Sequence, residues 1–232
     1  MELTTKELTL KPAILTPEKV FTPRQPGSAY THLAGAAFAL LAAVPLLGKA
    51  AGSSIGLFSG AVFILSMFLL YSSSTLYHTF GKTEKSLLRL KKLDHAMIYV
   101  LIAGTYTPVC LLALKGSTGL WLFCVIWSIA FIGVFQCIFF IHCPKWVSAV
   151  IYIAMGWFCI LVLPQLLKNI PTGAFALLLG GGILYTIGGV IYALKLPIFD
   201  NKHPNFGLHE IFHCFCLAGT FFHFLMVYGY LV

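Results

Sequence analysis

Several side chains that can bind a metal or carry a proton stand at the edges of long apolar segments of this chain. Ser74 and His78 close one apolar segment, and Asp94 opens the next. His209 and His213 open the last segment. Ionisable residues are costly inside a membrane, so they are functional-site candidates by default. Three imidazoles and one carboxylate suit a zinc ion that keeps an open position for water.

The spacing of these residues supports a shared site. His209 and His213 are four residues apart, so on a helix they lie on one face with about 6 Å of rise between them. Two imidazoles at that spacing bind one zinc ion in zinc-enzyme helices. Ser74 and His78 share a helix face for the same reason. We expect His78 to supply the third ligand and Asp94 to hold a water at the open position.

Each candidate also has a simpler interpretation. A single histidine in a span more often makes a hydrogen bond between helices, and Ser74 has a backbone carbonyl as its alternative partner. Asp94 has an ion pair with Lys91 or Lys92 as its alternative. Asp94 and His95 are adjacent, about 100° apart on a helix, so we expect only one of them to face the site.

The chemistry that needs these residue types is hydrolysis. A zinc ion lowers the pKa of bound water toward about 7 and polarises a carbonyl group. A nearby carboxylate can take the proton, and a serine hydroxyl can donate to a developing oxyanion. This set suits cleavage of an amide or ester. A site inside a helix bundle favours a lipid-like substrate that enters between helices.

The composition is that of a polytopic membrane protein. Of 232 residues, 59% are hydrophobic and only 9% are charged. Runs of about 18 or more apolar residues are candidate spans. The sequence predicts an all-α bundle of seven transmembrane helices over residues 29–232, preceded by a largely irregular cytoplasmic tail over residues 1–28. The predicted spans are Tyr30–Leu47, Leu57–Phe80, Ala96–Leu114, Leu120–Ile141, Val147–Leu167, Phe175–Leu194 and Glu210–Val232.

The distribution of positive charge predicts the orientation of the bundle. Of the 15 Lys and Arg residues, all but Lys49, Lys115 and Lys168 fall on the side of the N-terminal tail. Cytoplasmic segments carry the excess of Lys and Arg, so we expect the N-terminus inside the cell and the C-terminus outside. The net charge of +8 is therefore a topology signal. It does not indicate nucleic-acid binding, because no basic stripe is interleaved with exposed aromatic residues.

The remaining histidines and the cysteines receive structural interpretations. His32 and His142 have no partner at helical spacing, so we expect them to bond between helices, and His203 lies in a link. His223 is about 21 Å further along the last helix than the first of its histidines. The seven cysteines are an odd number and mostly lie in spans, which predicts small buried hydrophobes. Only Cys143 is a candidate metal contact among them.

Glycines and prolines predict local features of three spans. Pro108 and Pro164 lie late in the third and fifth spans, where each can kink its helix. Small residues crowd the sixth span and predict close helix packing. They are Gly180, Gly181, Gly182, Gly188 and Gly189.

Four stretches together resemble one family. They are Thr31–Gly35, Ser74–His78, Leu93–His95 running on to Ile102–Pro108, and Phe206–His213. With them the chain resembles the bacterial hemolysin III proteins, members of the progestin and adipoQ receptor family. The resemblance covers all but the N-terminal tail, and its motifs are jointly specific. It implies a multi-pass protein of the bacterial plasma membrane.

The resemblance also implies a site. It implies seven helices with the N-terminus inside, and zinc held by His78, His209 and His213. Asp94 and Ser74 match the nearby acid and hydroxyl of the family. The wider superfamily includes alkaline ceramidases, so the resemblance implies lipid amide hydrolysis as the ancestral chemistry.

Three other functions compete with a zinc-dependent lipid hydrolase. One is a membrane-lytic or pore-forming protein, although a pore needs a polar stripe along several helices and the fourth and sixth spans have almost none. Another is a receptor or regulator of the membrane in which zinc is structural. The last is an intramembrane metalloprotease, because His209–His213 reads H-E-x-x-H with Glu210 as base. No later metal-binding motif follows to support it.

Overall fold

Seven membrane-length helices make up the described part of the chain. The computed structural model describes residues 21–114, 116–139, 145–195 and 205–232. Each predicted span overlaps one helix, which confirms the all-α, seven-span architecture. In chain order the helices are Pro26–Ala50, Ser54–Phe80, Glu84–Leu114, Gly116–Phe139, Trp146–Asn169, Thr172–Leu194 and Leu208–Leu231.

The third helix begins twelve residues before its predicted span. Thr83 and Ser86 form a reciprocal capping box there, with the Ser86 N–H bonded to the Thr83 hydroxyl at 3.2 Å. The first turns are rich in Lys, Arg and Leu, which favour helix but do not form an apolar run. Asp94, predicted to open this segment, therefore lies well inside the helix. The basic residues from Lys85 to Lys92, predicted in a link, lie on it as well.

Both candidate kink prolines adjoin departures from regular α-helix. Pro108 is followed by a π-helical turn, Val109–Leu114. Pro164 follows a 3₁₀ turn, Trp157–Val162, which divides the fifth helix. Proline removes a backbone donor and clashes with the preceding turn, so regular α-helical hydrogen bonding is interrupted close to both residues.

Neighbouring helices contact one another through small residues, as predicted for the sixth helix. Gly181, Gly188 and Gly189 are buried there. A Cβ atom on Gly181 would lie 3.0 Å from the carbonyl oxygen of Gly219 on the seventh helix, and one on Gly219 would lie 3.1 Å from that of Gly181. The two backbones touch at this level, as small residues allow helices to do in lipid.

Candidate metal centre

Three histidines converge where the second helix ends and the seventh begins. His78 is in the last turn of the second helix, and His209 and His213 occupy the first two turns of the seventh. One ring nitrogen of each lies within 4.8 Å of the other two. The Nε2 atoms of His78 and His209 are 3.3 Å apart. The three residues, called the triad below, are thus close enough to hold one metal ion.

Two polar side chains orient the triad from outside. The carbonyl oxygen of the Gln25 side chain lies 2.7 Å from Nδ1 of His78. Because that oxygen only accepts, Nδ1 carries the hydrogen, and Nε2 presents its lone pair. The Thr31 hydroxyl donates to the carbonyl of Gly27 at 3.0 Å and contacts Nδ1 of His213 at 3.0 Å. Nε2 of His213 is therefore also left for a metal.

The residues just before the first helix are fixed against the end of the second helix. The backbone N–H of Gln25 donates to the carbonyl of His78 at 3.0 Å, and that of Arg24 donates to Thr79 at 3.3 Å. The Lys82 ammonium donates to the carbonyl of Thr22 at 3.1 Å. The described end of the predicted irregular tail is thus ordered, and it delivers Gln25 to the triad.

His32 contacts the triad, although sequence spacing predicted only a hydrogen bond between helices. Its ring stacks on that of His213, with centroids 3.5 Å apart and planes 7° from parallel. The Tyr71 ring packs edge-on against the His32 ring, with centroids 5.1 Å apart. Neither ring nitrogen of His32 has a hydrogen-bond partner within the described ranges. The hydrogen-bond prediction was wrong because His32 is packed between two rings.

Glu210 caps the N-terminus of the seventh helix. One carboxylate oxygen accepts from the backbone N–H of Gly207 at 2.8 Å, and the Ser28 hydroxyl donates to the other. A carboxylate at a helix N-terminus satisfies a free backbone donor and interacts well with the helix dipole. Both oxygens are engaged there, which counts against Glu210 as the base of a protease.

Asp94 and Ser74 line the cavity on which the triad borders. His209, His213 and both of these side chains contribute to its wall. Ser74 is 1% exposed, and its hydroxyl lacks a hydrogen-bond partner among the residues described. The Asp94 carboxylate is its polar neighbour. His95 contributes to the wall of the same cavity but does not belong to the group of three histidines.

The cavity is long and apolar. It has a volume of about 350 Å³ and lies between the third, fifth, sixth and seventh helices. Along the sixth helix its wall runs from Tyr192 near the triad to Phe175, about 25 Å at 1.5 Å per residue. Ile160 and Leu179 line the cavity and are also 56% and 37% exposed. The cavity therefore reaches the outer surface of the bundle between the fifth and sixth helices.

Other candidates from the sequence lie elsewhere. His142, Cys143 and His203 fall outside the described residues. Cys110 is buried as predicted, whereas Cys124 and Cys214 are exposed on the outer faces of their helices. Those two were wrongly predicted as buried, because apolar helices in a membrane expose apolar side chains to lipid as readily as they bury them.

Comparison with known proteins places the whole bundle in one family. Residues 22–224 match the family described as Haemolysin-III related. The chain is 39% identical over 208 residues to the Hemolysin-3 homolog of Bacillus subtilis (strain 168), covering 88% of this chain and 93% of that protein. It is 36% identical over 216 residues to Hemolysin-3 of Bacillus cereus, covering 91% and 94%.

Proposed function

Since the chain belongs to the hemolysin III family of multi-pass bacterial membrane proteins, we propose that it is a zinc-dependent hydrolase of a lipid amide or ester. One observation carries the proposal. A triad of metal-ligand type borders an apolar cavity that reaches the lipid-facing surface of the bundle. Ligand type and cavity chemistry together match a lipid substrate with a hydrolysable polar group.

The donor set fits zinc. Three neutral imidazoles with room for a fourth ligand are the arrangement of catalytic zinc sites. Ligating histidines nearly always donate their second N–H to an oxygen, which fixes the ring and its tautomer. The side-chain oxygen of Gln25 accepts this hydrogen bond from His78, and the hydroxyl oxygen of Thr31 accepts it from His213. The Nε2 atoms are therefore already oriented for the ion.

The chain's own residues supply the remaining chemistry. Zinc, when bound, would polarise the substrate carbonyl and make water a better nucleophile at neutral pH. Asp94 would accept the proton of the attacking water and return it to the leaving amine or alcohol as the acyl bond breaks. Ser74, whose buried hydroxyl lies beside the Asp94 carboxylate, would donate to the carbonyl oxygen as negative charge develops there.

The cavity supports a lipid as the substrate. Leu, Ile and Tyr are among the most frequent residues in its wall, which is apolar over most of its area and extends away from the triad into the bundle. An acyl chain in that space would place its head group beside Asp94 and the triad. Entry between the fifth and sixth helices would let the lipid arrive from the bilayer without crossing water.

The name of the relatives suggests lysis of membranes, but the helix interiors give a pore little support. The fourth helix buries only Gly, Leu, Ile and Ala among its described residues, and the sixth only Ala and Gly. A water-filled pore is lined by polar groups or backbone carbonyls. Neither helix buries a polar stripe among its described residues.

Turnover by purified protein tests the proposal. We expect zinc-loaded protein in lipid nanodiscs to release fatty acid from long-chain N-acyl amides or esters, detected by mass spectrometry. Asp94→Asn should fold, keep most of its zinc and lose turnover by at least a hundredfold, because the carboxylate acts on the proton. Glu84→Gln, which removes an exposed acid from the same helix, is the matched control and should retain activity.

Zinc-loaded wild-type protein that cleaves no lipid amide or ester would contradict the proposal. A regulator with structural zinc would then be the better account. Complete loss of zinc from Asp94→Asn would instead make Asp94 a direct ligand.

A further inference from the structure

A second polar position lies deep in the cavity, far from the triad. His223 is ten residues beyond His213 on the seventh helix, about 15 Å along its axis. It is 7% exposed and contributes to the wall of the same cavity. The chemistry proposed for the triad uses nothing at this depth. A histidine inside a membrane is costly and is a functional-site candidate in its own right.

The hydrogen bonds of His223 define what it can still bind. Its Nε2 lies 3.1 Å from the carbonyl oxygen of Leu178. A carbonyl only accepts, so Nε2 carries the hydrogen, and Nδ1 of the neutral ring is an acceptor. Nδ1 is buried and has no partner within the described part of the chain. A buried acceptor without a partner is destabilising, so the site is complete only with a donor.

The fold holds this ring in place. A Cβ atom on Gly181 would overlap the Nε2 and Cδ2 atoms of His223, so the imidazole fits only because that position is glycine. The Tyr185 ring packs at 5.6 Å from the ring of His223. With Nε2 tied to Leu178 as well, the imidazole cannot turn to find another partner.

The third helix also contributes an acceptor to this cavity, well beyond Asp94 along its axis. Thr105 lies eleven residues beyond Asp94 on the third helix, about 16 Å along its axis. Its hydroxyl donates to the carbonyl of Leu101 at 2.8 Å, so its oxygen retains only accepting capacity toward the cavity. Thr105 and His223 both line the cavity. A ligand that bonds to either side chain must therefore bring the hydrogen.

We propose that His223, with Thr105 of the third helix, binds a hydroxyl group carried part-way along the acyl chain of a lipid. The placement rests on the proposed function, because it assumes that the polar head of the lipid lies at the triad. The distance then selects the ligand: the hydroxyl should stand about 15 Å from the head group, the separation of His213 and His223. The class is a mid-chain hydroxylated acyl lipid.

A water molecule is the alternative donor to Nδ1 of His223. Measurements of ligand binding distinguish water from a lipid hydroxyl. The probes are 12-hydroxyoctadecanoic acid, octadecanoic acid and 18-hydroxyoctadecanoic acid, measured by displacement of a fluorescent fatty acid from zinc-loaded protein in micelles. In an extended chain the hydroxyl of the first probe reaches the depth of His223, and that of the third passes beyond it. We expect the first to bind about five- to tenfold tighter than the other two.

Variants test whether His223 causes the preference for the 12-hydroxy acid. His223→Phe keeps a planar ring but removes the acceptor. We therefore expect this variant to bind the 12-hydroxy acid no more tightly than the other two acids. Phe221→Leu changes an exposed side chain on the same helix and should keep the preference. His223→Gln retains an accepting oxygen and should keep part of it.

Equal binding of the three acids by wild-type protein would overturn the inference, since it would mean that only water meets His223. So would an unchanged preference in His223→Phe. Because binding is measured apart from cleavage, the two proposals fail separately. Selective binding without turnover removes only the hydrolase, and turnover without selectivity removes only the hydroxyl subsite.

Discussion

At the scale of single residues, two side chains outside the triad contact it and orient its rings. Helical spacing identified His209 and His213, and a common depth in the bilayer added His78. Gln25 carried no comparable signal, and Thr31 stood out only as part of the Thr31–Gly35 stretch. Their contacts with the triad arise because the first helix packs against both the second and the seventh helices. The contact of His32 with the triad was missed for the same reason, because His32 on the first helix stacks on His213 of the seventh.

Removing two ligands together should empty the site. We expect His209→Ala/His213→Ala protein, purified in detergent, to hold no stoichiometric zinc, whereas wild type holds about one ion per chain. A single remaining imidazole cannot bind zinc tightly. Metal analysis by mass spectrometry measures this, with His95→Ala as a control that spares the triad. Full zinc retention in the double variant would show that the ligands lie elsewhere.

Removing an orienting side chain should weaken the metal without abolishing it. We expect Gln25→Ala to lower zinc affinity about 10- to 100-fold, because His78 Nδ1 loses the acceptor that fixes its tautomer. Competition with a zinc chelator measures the change. Gln165→Ala, an exposed glutamine on the fifth helix, is the matched control. Equal affinity in both variants would remove the orienting role of Gln25.

At the scale of elements, the helices were predictable and their ends were less so. Apolar runs locate the part of a helix that lies in lipid, and all seven were found that way. The charged first turns of the third helix were missed because nothing apolar marks them. Contacts between helices followed composition only loosely. The glycines of the sixth span predicted close packing, but not that Gly181 would meet both Gly219 and His223.

That contact can be tested by adding one carbon atom. We expect Gly219→Ala to lower stability by about 1–3 kcal/mol, because its Cβ would lie 2.8 Å from the Tyr185 ring and 3.1 Å from the Gly181 carbonyl. Thermal unfolding in detergent measures the loss. Gly48→Ala on the first helix is the control, since a Cβ there meets nothing within 4 Å. A Gly219→Ala protein as stable as the control would mean that the two helices separate freely.

At the scale of the whole molecule, one end of the bundle carries both the triad and most of the described cations. Arg24, Lys82 and the basic turns of the third helix lie at that end, and Lys49 and Lys168 lie at the other. The charge count and the convergence of the site are independent of each other. From their agreement we expect the proposed chemistry in the cytoplasmic half of the membrane.

Reporter fusions test that orientation. A reporter that is active only outside the cytoplasm should work when fused after Val232 and fail when fused to the N-terminal tail. The reason is that cytoplasmic segments retain the excess of Lys and Arg. The opposite pattern at Val232 would mean that the bundle crosses the membrane an even number of times or is inverted.

The triad and its two orienting residues also join the beginning of the chain to its end. Gln25 and Thr31 come from the first helix and its approach, His78 from the second, and His209 and His213 from the last. A ribosome that has delivered six helices to the bilayer has released only one of the three imidazoles. We therefore expect the triad to bind a metal only after the last helix has joined the bundle, so that a bound ion would report correct assembly of the first, second and seventh helices. We expect a protein truncated before Leu208 to hold no metal at this site, because it lacks His209 and His213.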